Sequence, residues 1–216
     1  EVVDALTIKY IKQVAQVDVL VNVEMFDFVV DLLFNLQNLK DAVNYYTIPV
    51  NFENDEEKIA WYKKAAEGGN AVAEVNLGTC YFKGSGVEQD YKKAVELYAK
   101  AAKQGNADAQ CRLGLCYAIG NGVERDYKEA VRWFNESAKQ DNVLAQCALG
   151  TSYFEGNGVG QDCNKAIEWF KKAAEQGNVG AQLKLGLCYY NGDGVGRNYQ
   201  EAIEWLKKAA EQGNVG

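Results

Sequence analysis

Residues 143–178 read VLAQCALGTSYFEGNGVGQDCNKAIEWFKKAAEQGN, and the same pattern occupies residues 71–106, 107–142 and 179–214. The copies are bounded by asparagines spaced 36 residues apart, at Asn70, Asn106, Asn142, Asn178 and Asn214. A fixed period of this size is typical of stacked repeat arrays, in which one unit cannot bury its apolar face alone. The sequence therefore predicts an array of one repeated unit, whose function lies on the surface that the array presents.

The first half of each unit predicts an amphipathic helix. In residues 71–106, Ala73, Leu77, Gly78 and Tyr81 fall on one face at helical period. A glycine inside a helix costs about 1 kcal/mol relative to alanine. Its recurrence at the position of Gly78 predicts a place where two helices approach too closely for a Cβ atom.

A glycine-rich joint and a second helix follow. Gly84 is predicted to end the first helix in the left-handed conformation, Gly86 to form a turn, and Val87 to plug the joint. The predicted N-caps of the second helices are Asp90, Asp126, Asp162 and Asn198. The second helix is predicted to stop at a Gln-Gly-Asn sequence, as at residues 176–178, where Gly177 can be left-handed. Two helices of about 13 to 15 residues with a short connection form an antiparallel pair.

The full pattern is A-x-x-x-L-G-x-x-Y-x-x-G-x-G-V-x-x-D-x-x-x-A-x-x-W-x-x-x-A-A-x-x-G-N, and it resembles the Sel1-like repeat family, relatives of the tetratricopeptide repeats. The resemblance covers residues 71–214, and residues 55–70 match the second helix of a further unit. It implies an all-α fold, a right-handed superhelical solenoid of antiparallel helix pairs. It also implies a scaffold or adaptor for other proteins.

Residues 1–54 depart from the repeat pattern. They contain none of the 21 glycines, and they carry 3 Lys against 8 Asp and Glu of a chain whose net charge is −7. Val23–Leu36 and Asn38–Tyr46 resemble a degenerate helix pair, so we expect a helical cap on the array. The alternative is part of a neighbouring domain. The chain begins without Met and stops inside a further unit, so we expect a fragment of a longer protein.

Composition bears on several classes of function. An acidic chain disfavours a nucleic-acid partner, because phosphate binding requires clustered Lys and Arg. The sequence contains no stretch of about 18 uncharged apolar residues, so we do not expect membrane insertion. The chain has no His, which removes the commonest general base and imidazole ligands. The Gly-x-Gly sequences follow helices and lack a Lys-Ser or Lys-Thr pair, so a joint between helices is favoured over a phosphate loop. We expect no enzymatic activity and no cofactor.

The six cysteines interchange with other residues at equivalent positions. One repeat position is occupied by Cys80, Cys116 and Cys188, and by Ser152 in the remaining unit. A second repeat position is occupied by Cys111 and Cys147, and by Val75 and Leu183 in the other two units. Such interchange is typical of small packed side chains, and free thiols favour a reducing compartment, the cytoplasm. The family also occurs in the secretory pathway and in bacterial envelopes. A metal site or redox pair is the alternative. The cysteine that stabilises disulfide-bonded relatives is missing from the Ala-Ala segment.

Tryptophan recurs at one position of the second helix, in Trp133, Trp169 and Trp205, with Leu97 as the equivalent in the first unit. Packing between helices is the favoured interpretation, since large aromatic side chains dominate cores. An exposed aromatic ladder that binds a ligand is the alternative.

By analogy with tetratricopeptide arrays, the first helices are expected to line a concave groove. The residues predicted to face it are Val72, Val75, Thr79, Phe82, Lys83, Asp108, Cys111, Leu115, Ile119, Leu144, Cys147, Thr151, Phe154, Glu155, Leu183, Leu187, Tyr190 and Asn191. These positions vary more between units than the scaffold positions do, and many are apolar. We therefore expect another protein as the partner, presenting an extended peptide or an amphipathic helix. Self-association is the alternative, and a small-molecule-binding or enzymatic role is a less favoured third.

Overall fold

A computed structural model describes residues 54–213, and this part of the chain consists of nine α-helices without strands. The helices are α1 Asp55–Glu67, α2 Ala71–Lys83, α3 Tyr91–Lys103, α4 Ala107–Ile119, α5 Tyr127–Ala138, α6 Val143–Glu155, α7 Cys163–Glu175, α8 Val179–Asn191 and α9 Tyr199–Gly213. The all-α prediction is confirmed. The helical cap predicted for residues 1–54 lies outside the described residues.

The helices pack as consecutive antiparallel pairs. Within the units, α2 packs on α3, α4 on α5, α6 on α7 and α8 on α9. Between units, α1 packs on α2, α3 on α4, α5 on α6 and α7 on α8. The second helices α3, α5 and α7 are therefore each held between their own first helix and the first helix of the next unit, which is the arrangement of a solenoid.

Both helices of each unit begin at a polar cap. The side chain of Asp90 accepts a hydrogen bond from the Lys93 N–H at 3.1 Å, and Asp126 and Asp162 cap α5 and α7 in the same way, as predicted. The boundary asparagines have a role that the sequence pattern did not reveal. Asn142 Oδ1, for example, accepts from the Ala145 N–H at 3.0 Å and so caps α6. The repeat boundary is thus a helix N-cap.

The mid-helix glycines mark the closest approach within each pair, as predicted. A Cβ atom built on Gly150 would lie 2.5 Å from Phe170 Cδ1 and 3.1 Å from the Ala166 carbonyl oxygen. Phe134 lies against Gly114 and Tyr98 against Gly78 in the same way. The absence of a side chain on the first helix makes room for the largest buried side chain of the second.

The Gly-x-Gly-Val joint connects the two helices of one unit and packs against the preceding unit. Gly84 ends α2 with φ +72°, and Gly177 has φ +87°, so both predicted left-handed residues are confirmed. The second glycine of the joint lies on the preceding unit: a Cβ atom on Gly122 would collide with the Tyr91 carbonyl group at the start of α3. Val123 packs against the apolar cluster beneath. The joint is therefore filled by backbone contacts between units.

Candidate partner-binding face on the first helices

The residues predicted to face a partner lie on α2, α4, α6 and α8, and we call the solvent-exposed set the first-helix face. Its exposed apolar side chains are between 39% and 60% accessible: Val72, Leu115, Ile119, Leu144, Leu183, Leu187 and Tyr190. Its exposed polar side chains are Lys83, Glu155 and Asn191. In residues 54–213, the other exposed large apolar side chains are Tyr199 and Ile203, both on α9. The apolar surface of the described array is therefore concentrated on the first helices.

Six predicted residues are half-buried at the base of this face: Thr79, Phe82, Asp108, Cys147, Thr151 and Phe154. Thr151 donates to the Cys147 carbonyl oxygen at 3.0 Å, and Thr79 donates to the Val75 carbonyl oxygen at 2.8 Å. The Tyr98 hydroxyl reaches Thr79 Oγ1 at 3.2 Å. The two threonines thus satisfy their hydroxyl groups within the fold.

Two predicted residues are corrected by the structure. Val75 and Cys111 are only 5% and 1% accessible, so neither can contact a partner. Val75 packs in one cluster with Ala109 and Leu113 of the next unit, and Cys111 packs in the cluster that includes Leu149. Their position faces the adjacent first helix instead of solvent. Leu183 occupies the same position but is exposed, because α8 is the last first helix within the described residues.

A cavity of about 200 Å³ opens on this face where α6, α7 and α8 meet. It is lined by Phe154, Phe170, Lys184, Leu187, Cys188, Asn191 and Asp193. The rings of Phe154 and Phe170 lie 6.5 Å apart, and Lys184 Nζ lies 5.9 Å from the centre of the Phe170 ring. The cavity is smaller than a typical pocket for a drug-sized ligand, so it suits a single side chain. The sequence prediction missed Lys184, whose position no spacing rule distinguishes.

The tryptophans pack between helices, as predicted. Trp133, Trp169 and Trp205 are half-buried, and each packs against an apolar cluster formed by two neighbouring units. Their faces carry cations from their own helices, at 4.3 Å for Arg132 on Trp133 and 4.0 Å for Lys208 on Trp205. Each indole thereby serves packing on one side and a cation–π contact on the other.

All six cysteines are free, and Cys80, Cys111, Cys116 and Cys188 are buried. Burial raises the pKa of Cys111 to about 12 and the pKa of Cys116 and of Cys188 to about 11. These thiols are therefore protonated at neutral pH, which suits packing and not nucleophilic attack. Residues 54–213 hold no group of three or more Cys, Asp or Glu side chains arranged to bind a metal ion.

A polar ladder ties the two helices of each unit together by pairing a buried residue of the first helix with an exposed glutamine at the end of the second. The sequence prediction missed this ladder. Gln140 Nε2 donates to Gln110 Oε1 at 2.9 Å, and Gln176 Nε2 donates to Gln146 Oε1 at the same distance. Gln110 Nε2 in turn donates to the Ala102 carbonyl oxygen of the preceding unit at 3.2 Å. The signal was present, since both positions are Gln in three of the four units. Only Glu74 departs from it.

The stacked hairpins define the chain as a helical repeat solenoid, and comparison with known proteins gives its family. The Sel1 repeat model matches residues 56–70, 71–106, 107–142, 143–178 and 179–214. The chain belongs to the Sel1 repeat family. This fold generally mediates protein–protein interaction, and its members are generally non-catalytic scaffolds.

Two solved structures share clear sequence similarity with the chain. One is a protective antigen of uropathogenic Escherichia coli strains with an SLR fold: 39% identity, TM-score 0.72, covering 90% of this chain and 42% of that one. The other is a Sel1 repeat protein from Oxalobacter formigenes: 37% identity, TM-score 0.70, covering 76% of this chain and 66% of that one.

An immunity protein from Pseudomonas aeruginosa shares the fold at 24% identity and a TM-score of 0.53, over 81% of this chain and 64% of that one. The chain thus spans less than two thirds of the length of these three proteins. No curated protein gives a significant match. Among the described helices, none has the length and apolar character needed to cross a membrane.

Proposed function

We propose that this chain is a non-enzymatic interaction scaffold that binds a peptide or an amphipathic helix of another protein along the first-helix face. The observation that carries the proposal is the concentration of exposed apolar side chains there: seven of the nine in residues 54–213. Exposed apolar side chains that gather on one set of helices are typical of an interaction surface. Its members differ between units, as expected where one frame makes different contacts along a partner.

The chemistry of the described residues supports a binding role over a catalytic one. The buried thiols are protonated at neutral pH, and the whole sequence lacks histidine. The first-helix face instead offers aliphatic and aromatic anchors, which contribute about 25 cal/mol for each Å² of apolar surface removed from water. Only the central anchors of such a surface are expected to dominate affinity.

The test compares two variants of the full chain as bait in pull-downs from its native source. The face variant carries Leu115→Ser, Leu144→Ser and Leu187→Ser. The control carries Ile203→Ser, which removes exposed apolar surface from α9 instead. A protein retained by wild type and control but lost by the face variant, with circular dichroism unchanged, supports the proposal. Equal retention by all three baits would move the site off this face.

A further inference from the structure

The cavity between the third and fourth units has an apolar floor and one cationic side chain at its edge. Phe154, Phe170 and Leu187 supply the apolar lining, and half-buried Lys184 extends over the Phe170 ring. Asp193 also lines the cavity, where its Oδ2 accepts a hydrogen bond from Asn191 Nδ2 at 3.1 Å, and it forms no ion pair with Lys184. Within residues 54–213, Lys184 forms no ion pair.

The second unit shows what an internal partner for this cation looks like. Arg112 occupies the same repeat position as Lys184, and its Nε donates to Asp108 Oδ2 at 2.8 Å, one helical turn earlier. The residue equivalent to Asp108 in the fourth unit is Gly180. The internal counter-charge of Arg112 is therefore absent from the position where Lys184 would need it.

We propose that this cavity binds a partner segment in which an apolar side chain lies next to an Asp or Glu residue, with the carboxylate paired to Lys184. The inference rests on the proposed function and specifies which peptide chemistry the first-helix face selects. A cavity of about 200 Å³ accommodates one leucine-sized or phenylalanine-sized side chain against Phe154, Phe170 and Leu187. The carboxylate of the partner then forms an ion pair with the half-buried Lys184, as Asp108 does with Arg112.

The probes are three acetylated, amidated hexapeptides that contain one Leu followed by Glu, Gln or Lys in an otherwise Gly-Ser sequence. Each is titrated into the full ¹⁵N-labelled chain, with the amide signals of Leu187 and Cys188 as the readout. The Leu-Glu peptide is expected to bind about threefold to fivefold more tightly than the Leu-Gln peptide at low salt, and the Leu-Lys peptide more weakly than both. The preference for Glu over Gln is expected to shrink at 0.5 M salt, because the Debye length is then only about 4 Å.

Two variants separate charge from shape. Gly180→Asp places a carboxylate one turn before Lys184, as Asp108 is placed before Arg112, and is expected to abolish the preference for Glu over Gln. Gly180→Asn matches it in size without the charge and should leave the preference intact. Lys184→Gln should remove the preference while leaving the Leu-Gln peptide bound as before. Circular dichroism checks that each variant is folded.

Every outcome bears on the inference. Equal binding of the Leu-Glu and Leu-Gln peptides at Leu187 overturns the carboxylate preference but supports an apolar anchor site, so the proposed function stands. No shift at Leu187 or Cys188 with any peptide overturns this inference, and the pull-down variants still decide the proposed function. A preference that survives Gly180→Asp and Lys184→Gln assigns the carboxylate to another group and overturns the role of Lys184.

Discussion

Gly150 in α6 lies against the ring of Phe170 in α7 so closely that a Cβ atom on the glycine would be 2.5 Å from Phe170 Cδ1. The approach is tight because Phe170 is itself enclosed, at 1% accessibility. The fourth unit has Leu206 at the position of Phe170, and a Cβ atom on Gly186 would be 2.8 Å from its Cγ atom. The glycine is thus a packing requirement that outweighs its cost as a poor helix former.

Gly150→Ala is expected to lower the free energy of unfolding by about 1 to 3 kcal/mol, because the added methyl group overpacks the contact with Phe170. Thermal and urea unfolding measure the change. The matched control is Gly180→Ala, near the start of α8. A Cβ atom there would have Asn178 Oδ1 as its nearest neighbour, at an ordinary contact distance of 3.4 Å. That change is expected to be neutral or to stabilise by up to about 1 kcal/mol. A higher melting temperature for Gly150→Ala would contradict the packing argument.

Gly158→Ala is expected to uncouple neighbouring units, because its Cβ atom would collide with the Tyr127 carbonyl group of the preceding unit. Backbone cannot move aside as a flexible side chain does, so the loss of stability should exceed that of Gly150→Ala. Hydrogen exchange should accelerate at the α5–α6 contact before it does elsewhere.

The control for this prediction is Gly105→Ala, which has the same left-handed backbone, φ +89°, but no atom within 4 Å of an added Cβ. It should cost only the conformational penalty of about 1 to 2 kcal/mol. If the two substitutions cost the same, the contact with Tyr127 contributes nothing to the coupling of units.

Much of the fold could be predicted because its determinants are local and recur. The caps at Asp90 and Asp162, the helix end at Gly84 and the crossing at Gly78 each depend on residues close in sequence or at one repeat position. A signal repeated four times distinguishes such positions from chance. The role of Asn142 as an N-cap was missed, because a cap residue and a helix stop leave the same mark in sequence.

The candidate site was less predictable, since exposure depends on contacts between units. Helical period alone places Val75 and Leu115 on one face, yet Val75 is covered by the next first helix. All four residues at the position of Val75 are apolar, which in hindsight indicates burial. The isolation of Lys184 depends on Gly180 replacing the acidic residue of another unit, and the sequence alone does not show that Arg112 and Asp108 pair.

Glu74→Gln is expected to stabilise the protein at neutral pH and to remove part of its pH dependence. Burial raises the pKa of Glu74, although Lys100 and a hydrogen bond from Gln104 oppose the shift. The folded state therefore keeps this proton at pH values where the unfolded chain has lost it. The free energy of unfolding consequently falls as pH rises from the ordinary value of 4.5 through the folded pKa, and is flat above it. Glutamine avoids the buried charge and matches Gln110.

The measurement is urea unfolding of wild type and variant between pH 4 and pH 8. The difference between them is needed, because hydrogen bonds from the Lys93 and Lys165 backbone N–H groups lower the pKa of Asp90 and Asp162 and give the opposite slope. Gln146→Glu should install the Glu74 slope in the third unit. Parallel stability curves for wild type and Glu74→Gln would show that Glu74 does not titrate across this range in the folded state.

Alkylation by iodoacetamide is expected to divide the six cysteines by burial. Cys163, half-buried at the first position of α7, should react first in the native protein. Cys147 is also half-buried, but burial raises its pKa, so it should follow more slowly. Cys80, Cys111, Cys116 and Cys188 should react only on unfolding, because alkylation requires an accessible thiolate. Mass spectrometry of timed samples at pH 8 measures each rate, and Cys163→Ser should remove the fastest phase alone. Labelling of Cys111 in the native protein at the rate of Cys163 would show that the packing contact between the second and third units opens readily.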